Sequence, residues 1–116
     1  MMKLATAALA VAIMATPAVA RCRGGDNVSW YGEPQRLRGG GKFHPNDSTC
    51  ASPTEPDGTI LRIKVTGGPA IDCRVNDRGP APETGCKLDV SRKIARLLGI
   101  LDRGTGRFAI QVLRRP

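Results

Sequence analysis

Two stretches of the chain alternate cleanly between hydrophobic and polar positions. Across residues 58–66, Leu61, Ile63 and Val65 share one face while Ile60, Arg62, Lys64 and Thr66 share the other; across residues 107–113, Phe108, Ile110 and Val112 fall together. A period of two marks a half-buried strand. Gly67, Gly68 and Pro69 end the first run, so residues 70–76 are predicted to return as its hairpin partner. Shorter strands are predicted at 28–32, 48–51 and 87–90, with a glycine-rich loop at 36–45. One stretch has the helical period instead. Ile94, Leu97 and Leu98 stand at i, i+3 and i+4, Ser91 is placed to cap the first turn, and Gly99 to stop the last, which predicts a helix over 92–98. Gly104, Thr105 and Gly106 lead into the final strand. Many short strands and one small helix imply a mainly β chain closed into a compact six-stranded barrel.

The N-terminus breaks this pattern. Met1, Met2 and Lys3 precede an apolar, alanine-rich run that ends Ala18-Val19-Ala20. A positive start, a short apolar stretch and an Ala-x-Ala site read as a secretory signal peptide over residues 1–20. The run is short for a membrane span of about 20 residues. No membrane span is expected once the signal is removed, and residues 21–116 are read as one exported domain, periplasmic or extracellular and monomeric.

Export changes the reading of the cysteines. Removing twenty of 116 residues leaves 96, a marginal core on its own, and Cys22, Cys50, Cys73 and Cys86 all remain. An even count in a short exported chain predicts two disulfides, with three pairings open. There is no Cys-x-x-Cys pair and a single histidine, His44, so neither a metal nor another cofactor is expected. The net charge of +8, or +7 without Lys3, points to an anionic partner. With 3% aromatic residues there are few stacking platforms, and nucleic acid is not the expected partner; a cell wall suits the compartment better.

The candidate chemistry sits where the second hairpin strand breaks off. Val75-Asn76-Asp77-Arg78-Gly79-Pro80 places Asp77 at the end of a hydrophobic strand, on a loop the strand holds in place. Leu88-Asp89-Val90-Ser91 follows and runs into the helix. Asp89 is read either as a site residue or as a cap for the helix. Trp30 and Tyr31 are read either as platforms for sugar rings or as core residues. Arg78 is read as holding a substrate carboxylate or the loop itself. Glu33, Glu83 and His44 lie within loop reach and read more simply as solvated surface groups.

Taken together, these segments resemble the double-psi β-barrel domain of rare lipoprotein A (RlpA), a family related to expansins and barwin-type domains. Val28-Ser29-Trp30-Tyr31-Gly32 is similar to its Ala-Ser-Trp-Tyr-Gly; Thr54, Pro56, Gly58 and Thr59 to its Thr-Leu-Pro-x-Gly-Thr; Val75 to Pro80 to its Val-Asn-Asp-Arg-Gly-Pro; and Leu88 to Ser91 to its Ile-Asp-Leu-Ser. The resemblance spans nearly the whole exported part. It implies a lytic transglycosylase cutting the glycan strands of peptidoglycan to 1,6-anhydro-muramic ends. Asp77 would be the catalytic carboxyl, acting first as acid and then as base, with its pKa raised by burial. Trp30, Tyr31, Arg78 and Asp89 would bind substrate, and cell-wall or division proteins would be partners. Two positions depart from the family. Gly41 stands where its Gly-Glu-x-Phe has glutamate, and Ser52 where its Ala-Ala-His has histidine. These departures keep two alternatives open: an expansin-like module that binds polysaccharide without cutting, and an exported domain that binds another protein.

Overall fold

The computed structural model describes residues 20–33 and 35–116. The segment read as a signal peptide therefore lies outside the described residues, Ala20 excepted. Among the described residues, no helix is long and apolar enough to cross a membrane.

Among the described residues the strands are β1 (Val28–Tyr31), β2 (Thr49–Ala51), β3 (Ile60–Lys64), β4 (Ala70–Asp77), β5 (Leu88–Ser91), β6 (Thr105–Gly106) and β7 (Ala109–Arg114), with one α-helix, α1 (Arg92–Leu98), after β5. They form one sheet in the order β6-β1-β5-β2-β4-β3-β7. Two parallel pairs, β1 with β5 and β2 with β4, are joined through the antiparallel contact of β2 with β5. This is a double-psi β-barrel, mainly β with one short helix. Among the described residues the sheet has seven strands where the sequence predicted six. The added one is β6, two residues paired to β1, and a pair of residues is too short to show alternation.

The sheet edges β6 and β7 are neighbours in sequence, separated only by Arg107 and Phe108. Asn27 closes the seam between them. Its side-chain amide donates to the Phe108 carbonyl at 2.8 Å and accepts from the Phe108 N–H at 2.9 Å, doing the work of a strand partner where β1 has not yet begun. Gly106 must be small here, because a Cβ would lie 2.6 Å from the Phe108 ring and 2.9 Å from Ile100.

The core joins Val28 of β1, Cys50 of β2, Leu61 and Ile63 of β3, Cys73 and Val75 of β4, and Leu88 and Val90 of β5, with α1 packed over them. Its helix is capped as predicted: the Ser91 hydroxyl accepts from Ile94 N–H, and Gly99 closes the end at φ 74°. The buried stripe differs from the prediction. Ile94, Ala95 and Leu98 face the core, while Leu97 is 57% exposed. At about 100° per residue, the buried three share an arc that leaves Leu97 outside it. Cys50–Cys73 crosses the core from β2 to β4, and Cys22–Cys86 ties the lead-in to the loop before β5.

Candidate active site

Register brings the two aspartates together. Ala51 of β2 is paired on one side with Asp77 of β4 and on the other with Asp89 of β5, and Asp89 is paired in turn with Ser29 of β1. Directly paired residues project to the same face, so these four side chains form a row across the sheet. Asp77 and Asp89 are thus two strand spacings apart, about 10 Å between backbones.

Asp77 reaches this row because of a bulge. Cys50 pairs with Val75 but Ala51 pairs with Asp77, so Asn76 is an extra residue without an opposite number. Val75 is fully buried on the core face. In a regular strand Asp77, two residues on, would point the same way; the bulge turns it outward, as bulges near functional sites do. Its Oδ1 then accepts from two backbone amides, Arg78 at 2.9 Å and Arg38 at 3.0 Å. The second comes from the glycine-rich loop, and the Arg38 side chain ties that loop to Asp57. Ser52 braces Asp77 from below. Its N–H donates to the Asp77 carbonyl at 3.1 Å, and its hydroxyl accepts from the Thr54 and Glu55 amides.

Asp89 is half-buried and accepts a hydrogen bond from the Ser29 hydroxyl at 3.0 Å. Burial pushes its carboxyl from 3.8 up to about 6; the Ser29 bond pulls down, and the charge of Asp77 pushes up further. Helix capping is left to Ser91, so Asp89 is free of that role. Tyr31 lies two residues beyond Ser29 on the same face of β1. Its ring stacks on buried Phe43, centroids 4.2 Å apart. Burial first, then the charges of Asp89 and Asp77, hold its hydroxyl pKa far above the ordinary value, so it stays a neutral donor. Among the described residues, that buried hydroxyl and the buried Asn76 Oδ1 have no hydrogen-bond partner.

Other residues singled out in the sequence fall elsewhere. Trp30 takes the core face of β1 and packs against the core, with part of its ring exposed. The Arg78 side chain is exposed and forms no hydrogen bond or ion pair among the described residues; only its amide touches Asp77. Glu33, Glu83 and His44 are exposed, Glu83 on a single 3-10 turn next to the Cys22–Cys86 bridge. Gly41 is exposed at φ +90° with nothing within 4 Å of where a Cβ would stand. An open cavity of about 730 Å³ along this loop, lined by Gln35, Arg36, Phe43 and His44 among others, includes neither aspartate. Sequence reasoning missed Ser29, Arg38 and Phe43. A serine paired across strands leaves no local trace, but the apolar Phe43 inside a polar loop was a readable sign of burial.

The fold defines a double-psi β-barrel protein, with two carboxylates, Asp77 and Asp89, in one row across its sheet. The family model described as lytic transglycolase matches residues 24–110. The chain belongs to this family. It is 37% identical over 106 residues to the probable endolytic peptidoglycan transglycosylase RlpA of Synechocystis sp., covering 86% of this chain and 32% of the relative. It is 35% identical over 89 residues to the endolytic peptidoglycan transglycosylase RlpA of Neisseria meningitidis, covering 73% and 37%. The chain thus spans about a third of the length of these curated relatives. Among solved structures, the Streptomyces papain inhibitor has the same fold, with a TM-score of 0.61 and 19% identity over 77% of this chain and 92% of the inhibitor.

Proposed function

We propose that this chain is exported to the cell envelope and cuts peptidoglycan glycan strands as a lytic transglycosylase, with Asp77 and Asp89 as its catalytic residues. The observation that carries the reading is the pair of carboxylates on one face of the barrel, one of them lifted by burial to about 6. Two carboxyls whose environments differ can divide proton transfer from charge stabilisation. The resemblance assigned both proton steps to Asp77; in this reading both fall to Asp89, and Asp77 stabilises the developing charge.

At pH 7 about a tenth of the Asp89 carboxyl carries its proton, and at pH 6 about half. In that form Asp89 gives the proton to the bridging glycosidic oxygen as the C1–O bond breaks and the bond's electron pair leaves with the departing sugar. The ring's own C6 hydroxyl closes on C1, and its proton returns to the Asp89 carboxylate. No water enters the product, which is the 1,6-anhydro ring. Asp77, with Oδ1 taken by two amides, offers Oδ2 to the positive charge that develops at C1. Tyr31 supplies a neutral O–H beside both groups.

Position 41 favours a second reading, a module that binds glycan without cutting. A family glutamate there would add a carboxylate, whereas this chain has an exposed glycine in open space. Incubating residues 21–116 and the Asp77→Asn and Asp89→Asn variants with peptidoglycan sacculi separates the two. Anhydro-muramic products from the unaltered chain alone support cutting. Sedimentation with sacculi and no product supports the binding module.

A further inference from the structure

Beside Tyr31 lies a pocket of about 290 Å³ lined by Trp30, Tyr31, Gly32, Glu33, Gln35 and Arg92, with neither aspartate in its lining. It is at the small end of ligand pockets, about 300–1,000 Å³, which suits one sugar ring. Gly32 keeps it open. A Cβ there would stand 2.9 Å from the Trp30 ring and 3.8 Å from the Arg92 Cβ, so any larger residue fills the space between the indole and the arginine. Arg92 is exposed and forms no ion pair among the described residues, unlike Arg38, Arg62, Arg103 and Arg115. Arg96, one turn along the same side of α1, is likewise exposed and unpaired among the described residues.

We propose that this pocket is a subsite for a sugar ring bearing a carboxylate, with Arg92 as the group that reads the charge. The assignment rests on the glycan-strand reading above, because Tyr31 belongs to both places and a strand seated across the aspartates continues into the pocket. The exposed part of the Trp30 ring gives the sugar an apolar face to lie on. The planar guanidinium of Arg92 matches a carboxylate with two parallel hydrogen bonds. Glu33, also in the lining, accepts from sugar hydroxyls and repels a second negative charge, which favours the ring with its acid toward Arg92. The carboxylate has two sources on peptidoglycan: the lactyl group of a muramic unit freed of its peptide, or an acid of the peptide itself.

Trp30 is the sole tryptophan, so its fluorescence reports the pocket directly. The Asp77→Asn variant, expected to be without turnover, is titrated with peptide-stripped glycan strands, with peptide-bearing strands, and with neutral N-acetylglucosamine oligomers of equal length. At least one carboxylated strand is expected to shift Trp30 emission and to bind about tenfold tighter than the neutral oligomer, and the added change Arg92→Gln to erase that tenfold while leaving the neutral oligomer unaffected. Arg92→Lys is expected to keep part of it. Which carboxylated strand gains the tenfold names the source of the acid. Equal affinity for neutral and carboxylated strands, an unchanged preference in Arg92→Gln, or no emission change with any strand overturns the subsite. Since these are binding measurements, a chain that releases no product from sacculi sinks the transglycosylase reading while the subsite is still decided.

Discussion

Asp89→Asn removes a carboxylate that the fold holds in unfavourable surroundings, so it is expected to make the protein more stable and less active at once. The folded carboxyl titrates at about 6 against 3.8 in the open chain, a difference worth about 3 kcal/mol. The sign follows from linkage. Between pH 4 and 6 the folded state binds the proton more tightly than the unfolded chain, so the contribution of Asp89 to stability is best below pH 4 and is lost as pH rises through 6. Asparagine keeps the acceptor for Ser29 and drops the charge. The variant is therefore expected to gain up to about 3 kcal/mol over the unaltered chain at pH 7.5 and almost nothing at pH 4. Urea denaturation of both proteins at the two pH values measures this, and the lowered carboxyls of Glu55 and Asp72, present in both, cancel in the difference. An equal gain at both pH values, or no gain at pH 7.5, refutes the claim that burial holds this carboxyl in its acid form, and with it the assignment of the proton to Asp89.

Gly41→Glu meets no steric obstacle but imposes a side chain at φ +90°; a loss of about 1–2 kcal/mol is expected by denaturation, and anhydro-product release from sacculi is expected to rise. Replacing Cys22 and Cys86 together by serine opens a 64-residue separation and is expected to cost about 4 kcal/mol, against about 3.5 kcal/mol for the 23-residue separation of Cys50 and Cys73, read as the fall in unfolding free energy under oxidising conditions. Gly106→Ala drives a methyl into the Phe108 ring, so a thermal melt is expected to register a loss of about 1–3 kcal/mol, with the Asn27 seam the first place to loosen in amide exchange.

What could be read from the sequence was local. The cap at Ser91, the stop at Gly99 and the hairpin of β3 and β4 are each written within a few neighbouring residues, and each appears as predicted. The family resemblance located Asp77 and Asp89, but their arrangement depends on which strand lies between them. That strand is β2, three residues long and far from both in sequence. The disulfide pairing was closed to spacing arguments for the same reason: Cys50 meets Cys73 because β2 and β4 run parallel. Burial of Asp89 was equally hidden, since Leu88-Asp89-Val90-Ser91 alternates like any edge strand and only the register against Ser29 and Ala51 gives the carboxyl its surroundings.

The bulge at Asn76 makes the site depend on a count rather than on an identity. Asn76 can change to another residue and Asp77 still points outward as long as two residues of β4 stand against one of β2; if Asn76 instead took the regular place opposite Ala51, Asp77 would turn to the core face, whereas deleting Asn76 sets the aspartate directly after Val75, where plain alternation also turns it outward. In a relative of this chain, a one-residue gap between the valine and the aspartate is therefore compatible with an outward carboxylate, and a spacing of two is compatible with it only where the strand is bulged.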